Sequence, residues 1–131
     1  MTPAPDNGTV PLFSSRSVSE VLEHLLSLLQ AKGVTIFAVI DHSGEAAAAG
    51  FQMPATKVVI FGNPKAGTPV MLAAPDSALD LPLKILIAEN ADGTTRIVYN
   101  SVAYLRDRYG LTPEVVANLA VIDQLAAAIA H

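Results

Sequence analysis

Leu83-Lys84-Ile85-Leu86-Ile87-Ala88-Glu89 and Thr94-Thr95-Arg96-Ile97-Val98-Tyr99-Asn100, with Asp92-Gly93 between them, decide the fold class. Both runs are rich in aliphatic and β-branched residues, the side chains that suit a pleated, half-buried surface. Parallel neighbours need a crossover of a dozen or more residues, which this connection cannot supply, and Asp-Gly is a preferred turn pair. The stretch therefore reads as an antiparallel hairpin.

Upstream lie further strand signals. Lys57 to Phe61 is an apolar run stopped by Gly62-Asn63-Pro64, and Val34 to Ile40 is a β-branched run that reads as a core strand, broken by Asp41-His42-Ser43-Gly44. Thr9 to Phe13 can form a short strand, with Pro11 confining it to an edge or a sheet end because proline cannot donate to a ladder.

Two long helices flank these strands. Ser17 and Glu20 have capping-box spacing, and Val18, Val21, Leu22, Leu25, Leu26 and Leu29 follow on one helical face. Lys32 and Gly33 close that helix. Thr112-Pro113-Glu114 opens the last helix with a capping hydroxyl, a proline at the first helical position and an acid beside the positive helix end. Shorter helical pieces are expected at Glu45 to Ala49, at Ala66 to Ala74 despite Pro69, and from Ser101 to Tyr109 before Gly110. Strand, helix, four strands, helix is an α+β order: β-α-β4-α, one antiparallel sheet with both long helices on one face. Residues 1–8 read as a loose N-terminal arm and 9–131 as a single domain, in keeping with 131 residues.

Composition narrows the function classes. With 0 cysteines the chain has no disulfide, thiolate metal site or cysteine nucleophile. A net charge of −4 with scattered basic residues argues against nucleic acid, which is held by clustered Lys and Arg. Hydrophobic residues make up 51% and charged residues only 15%, so some apolar surface should stay uncovered and meet another protein; a homodimer is expected. The first eight residues have neither a basic start nor an apolar run, and Asn118, Asp123 and Gln124 interrupt the most apolar tail. The chain is expected to be cytoplasmic, without a signal peptide and without a membrane partner.

The stretch from Val58 to Thr68 carries the main candidate site. A strand runs into a glycine-containing loop and then a helix, an arrangement that can offer backbone N–H groups and a positive helix end to an anion. Gly62 and Gly67 have the spacing of a nucleotide phosphate loop, but Thr68 stands where its lysine belongs and Pro69 where its hydroxyl belongs. Nucleotide hydrolysis by that route is not expected. What survives is an anion site at the 62–68 loop, with Asn63, Lys65 and Thr68 as ligand-binding residues beside shaping glycines and prolines. Asp41-His42-Ser43 holds the residue types of a catalytic triad, yet neighbours on an extended segment point to opposite faces. His42 is the remaining candidate there, histidine being a residue type suited to acid–base work or anion binding. It could share a face with Glu45, but His24 and His131 lie elsewhere in the sequence, so no metal site is expected. Asp76 and Asp80 read as turn residues bonded to their own backbone.

Asp41-His42, Phe61-Gly62-Asn63-Pro64-Lys65, Gly67-Thr68-Pro69, Leu79-Asp80-Leu81-Pro82-Leu83-Lys84 and Tyr99 together resemble the bacterial and archaeal domain-of-unknown-function family 302, from about Arg16 to Ile129. The resemblance implies a domain of the TATA-binding-protein-like fold type and brings no activity or cofactor with it. That fold type does not import DNA binding. After Tyr99-Asn100 the family pattern implies an Asp-Pro helix start, where this chain has Ser101-Val102, a serine that can still cap.

Three functional readings follow. The first is a dimeric domain binding a small anionic or polar ligand through His42, Asn63, Lys65 and Thr68, without cofactor. The second is an enzyme using His42 as acid or base with Lys65 or Asn63. The third is a structural module that binds copies of itself.

Overall fold

The computed structural model describes residues 7–130. Its five strands are β1 (Thr9–Ser14), β2 (Thr35–Asp41), β3 (Thr56–Gly62), β4 (Leu83–Glu89) and β5 (Thr95–Asn100). They form one sheet in the order β1-β5-β4-β3-β2, every pair antiparallel. The β4–β5 hairpin is closed by Asp92, whose Oδ1 accepts from the Thr94 N–H at 3.0 Å and the Thr94 hydroxyl at 2.6 Å. These bonds hold the Asp92 carboxyl below the usual carboxylate range, with the Thr94 hydroxyl the main cause.

Helix α1 (Val18–Ala31) has the predicted capping box: the Glu20 N–H donates to Ser17 Oγ at 3.1 Å, and the Ser17 N–H donates to Glu20 Oε1 at 3.4 Å. Val18, Val21, Leu25 and Leu29 are buried, with Leu22 and Leu26 packed at their flanks. They meet one face of the sheet, built by Val59 and Phe61 on β3, Ile85 and Ile87 on β4, and Ile97 on β5. Ile122, Leu125 and Ile129 complete the same core from α6 (Val121–Ile129). Val58, Ile60, Leu86 and Val98 belong to the opposite face and stand outside that core.

Four expectations need correction or refinement. The run from Val34 to Ile40 is not a central strand: β2 is the sheet edge, with Phe37 and Val39 exposed and a register shift at Phe37. Hydrophobicity alone cannot separate an apolar edge from an apolar centre, and the bulge is one device that blunts an edge. The last helix is interrupted. After α5 (Pro113–Val116) the chain tightens into a 3-10 turn, Ala117–Leu119, before α6 begins. Asp80 does not serve its own turn; it accepts from the Tyr109 hydroxyl and pairs with Arg108 at 3.1 Å. Finally, six residues of the expected arm lie outside the described residues, while Gly8 belongs to the domain. It is buried, its carbonyl accepts from the Ser101 N–H at 2.7 Å, and its φ of +83° against the Tyr104 ring suits only glycine.

Candidate functional site

Two corners of the molecule repeat one motif, a strand that ends in a short polar residue capping a helix. The first is Asp41, which ends β2 and caps α2 (His42–Ala48). Its Oδ1 accepts from the Gly44 N–H at 3.0 Å and from the Ser43 hydroxyl at 2.7 Å, while Lys57 Nζ stands 3.9 Å from Oδ2. Ser43 Oγ in turn accepts from the Thr56 N–H at 3.1 Å, tying α2 to β3. The Ser43 and Gly44 bonds hold the Asp41 carboxyl below the usual range. Aspartate and serine are thus spent on structure, and His42 is exposed beside them, outside the lining of the cavity at the other corner. The acid, base and hydroxyl do not form a triad.

The second corner is Asn63, which caps α3 (Pro64–Ala73) by accepting from the Lys65 N–H at 3.0 Å. The Ala66 and Gly67 N–H groups both donate to the Asn63 carbonyl, at 2.9 and 2.8 Å, and Pro64 has no N–H. The first turn therefore leaves none of these donors free for an anion, whatever the helix dipole offers. Lys65 is exposed and does not line the neighbouring cavity.

The corners lie at opposite ends of the β2–β3 pair. Asp41 is registered with Lys57 and Thr35 with Gly62, so His42 and Asn63 are separated by the length of the strand, about 20 Å at roughly 3.3 Å per residue. The structure brings Asn63 and Thr68 together and leaves His42 and Lys65 outside.

What sits at the second corner is a partly open cavity of about 190 Å³. Phe61 and Leu83, directly paired across β3 and β4, form its floor with Pro82. Ala66, Gly67, Thr68 and Met71 of α3 make one wall, and Phe37 of the β2 edge another. Asn118, Leu119 and Val121, from the 3-10 interruption and the start of α6, make the third. The two sequence blocks Phe61-Gly62-Asn63-Pro64 and Leu81-Pro82-Leu83 therefore enclose one space. Sequence reading missed Asn118, whose side chain is half-buried at the wall without a hydrogen-bond partner among the described residues. Nothing local flags it; it lies in the 3-10 turn Ala117–Leu119, far along the chain from the other cavity residues. Among the described residues no titratable side chain lines the space.

Comparison with known proteins gives three findings. The family described as Domain of unknown function DUF302 matches residues 12–131. The fluoride-specific ion channel FluC 1 of Brucella suis biovar 1 (strain 1330) is 35% identical over 106 residues, which is 81% of this chain and 42% of that protein. FluC 2 of Brucella melitensis biotype 1 shares 35% identity over 106 residues, 39% of its length. The chain thus spans about two fifths of the curated relatives it matches, and no helix among its described residues is long and apolar enough to cross a membrane. Among solved structures, the uncharacterized conserved protein DUF302 from Bacillus stearothermophilus superposes with a TM-score of 0.77 at 18% identity, over 95% of this chain and 96% of that one. At that identity the likeness is one of fold.

Proposed function

The chain belongs to the DUF302 family, and from there we propose that it is a small-ligand-binding domain, working as a cytoplasmic homodimer, whose ligand is a compact and largely apolar molecule. The observation that carries this reading is the cavity at the β3–α3 corner: apolar floor and walls, with the unpartnered Asn118 amide as its polar handle. Binding sites for small molecules commonly combine an apolar lining with a few convergent polar groups. Size sets the ligand class, since a dry cavity of about 150 Å³ lined by aliphatic and aromatic side chains already holds a benzene ring. A space of about 190 Å³ suits one ring, or a short chain, bearing a hydroxyl or carbonyl for the amide. The capped first turn of α3 supports a neutral ligand over an anion.

Benzyl alcohol is a suitable probe. At ten times its Kd a ligand that binds only the folded state stabilises it by about 1.4 kcal/mol, so the thermal midpoint should rise saturably by a few degrees. Gly67→Leu should abolish the rise, because a Cβ there meets nothing within 4 Å and the longer side chain grows from the cavity wall. An unsaturable response, the same in both proteins, would refute the reading.

A further inference from the structure

Ser77, in the 3-10 turn Pro75–Leu79, is 2% exposed, and its Oγ has no hydrogen-bond partner among the described residues. Its backbone is satisfied: the N–H donates to the Ala74 carbonyl at 2.9 Å, and the carbonyl accepts from the Asp80 N–H at 3.0 Å. Buried hydroxyls are normally paired, because a bare one has given up its bonds to water for nothing. The space that Ser77 lines has no room for a water molecule to take the partner's place.

Its surroundings decide what can reach it. Leu81 and Leu119 line both that space and the β3–α3 cavity, so one layer of side chains divides the two. On the far side the wall is Tyr109, whose hydroxyl donates to Asp80 and whose ring centre lies 5.4 Å from the Arg108 guanidinium. Tyr109 also borders an open hollow of about 530 Å³ beside Pro75 and Leu79. The ring has that hollow to turn into, so the space behind it can widen by side-chain rotation alone.

We propose that the filled cavity extends to Ser77, and that its ligand is a compact apolar body carrying a short chain that ends in a hydroxyl. The inference rests on the ligand-binding reading above and names the ligand's second polar contact. The apolar body lies over Phe61, the chain passes between Leu81 and Leu119, and the terminal hydroxyl bonds to Ser77 Oγ. The neighbours select that end group. Buried Leu105 and Leu111 close the space and disfavour any charge within it. Asp80 stands on the same wall, its Oδ2 accepting from both Tyr109 and Arg108, and its negative charge turns away a carboxylate most of all. A hydroxyl donates and accepts, as serine does, so the two satisfy each other without a third group.

The test is a calorimetric titration of the wild-type chain and Ser77→Ala with benzyl alcohol, which is too short to reach Ser77, and with 4-phenyl-1-butanol. Ser77→Ala removes no hydrogen bond of the free protein, so its denaturation midpoint should not fall below wild type. The Kd of 4-phenyl-1-butanol should rise about fivefold in Ser77→Ala, the worth of one hydrogen bond, while that of benzyl alcohol stays the same. The wild-type chain alone supplies a second readout: in a ¹⁵N–¹H correlation spectrum 4-phenyl-1-butanol should shift the Ser77 and Tyr109 amides, and benzyl alcohol should leave them in place. A Kd for 4-phenyl-1-butanol that is equal in both proteins, or Ser77 and Tyr109 amides that it does not move, overturns the extension and leaves the cavity standing as long as benzyl alcohol binds. Failure of both alcohols to bind the wild type overturns the extension together with the ligand-binding reading.

Discussion

The two ends of the β2–β3 pair are built from nearly the same local parts and do different things. Each ends a strand with a short side chain that caps the next helix, Asp41 for α2 and Asn63 for α3. At the Asp41 end the polar groups satisfy one another on the surface, and His42 lines no part of the cavity described at the other end. At the Asn63 end the cap is equally satisfied, yet the helix leaves the sheet at an angle that encloses a space floored by buried Phe61. Reactive residue types gather at the first end and the binding geometry at the second. A site is made by concavity and desolvation as much as by the chemistry of its side chains.

The largest expected effect concerns what lies beneath each corner. Phe61 is 0% exposed, and Phe61→Ala should cost about 3–5 kcal/mol. Val39, on the Asp41 side and 42% exposed, should lose less than about 1 kcal/mol as Val39→Ala. Denaturant midpoints compare the two directly, and equal losses would erase the distinction between the ends.

The caps come next. Asn63→Ala should cost about 1 kcal/mol, and since an amide does not titrate the loss should be the same at every pH. Asp41 behaves differently because its folded pKa is lowered by the Ser43 and Gly44 bonds. Its contribution is fully present above the ordinary carboxyl value of 3.8 and is lost as pH falls through the lower folded value. Asp41→Asn should therefore flatten part of the acid limb of a stability–pH curve measured by urea denaturation. An acid limb identical to wild type would show that the Asp41 cap has no thermodynamic weight.

The smallest effect is at His42. Exposed and outside the cavity, it should tolerate His42→Ala within about 0.5 kcal/mol, with benzyl alcohol binding unchanged. A loss of binding there would mean that the two ends communicate.

Much of this architecture was legible in the sequence. Alternation and turn residues gave the hairpin, Ser17 and Glu20 the first helix, and Ser101 and Gly110 the bounds of α4 (Val102–Tyr109). The position of β2 was not legible, because an edge and a centre differ in neighbours and not in composition. Nor was the 3-10 break after Val116: Thr112, Pro113 and Glu114 specify where a helix starts and say nothing of how tightly it winds later. For the site, the turn at Gly62-Asn63-Pro64 pointed to the right corner. Glycine spacing there suggests free amides, whereas the Lys65, Ala66 and Gly67 N–H groups donate to Asn63, a detail that spacing does not carry. Asn118 was invisible because it reaches the cavity from the other end of the chain.

The central claim is that the β3–α3 corner, and not the β2–α2 corner, holds a small apolar ligand. A ¹⁵N–¹H correlation titration of the labelled chain with benzyl alcohol tests it most directly. The account predicts saturable shifts in the amides of Phe61 to Thr68, Leu81, Leu83 and Asn118 to Val121, with His42 to Ala48 unmoved. Still amides at the first set in a well-dispersed spectrum, or shifts centred on α2, would contradict it.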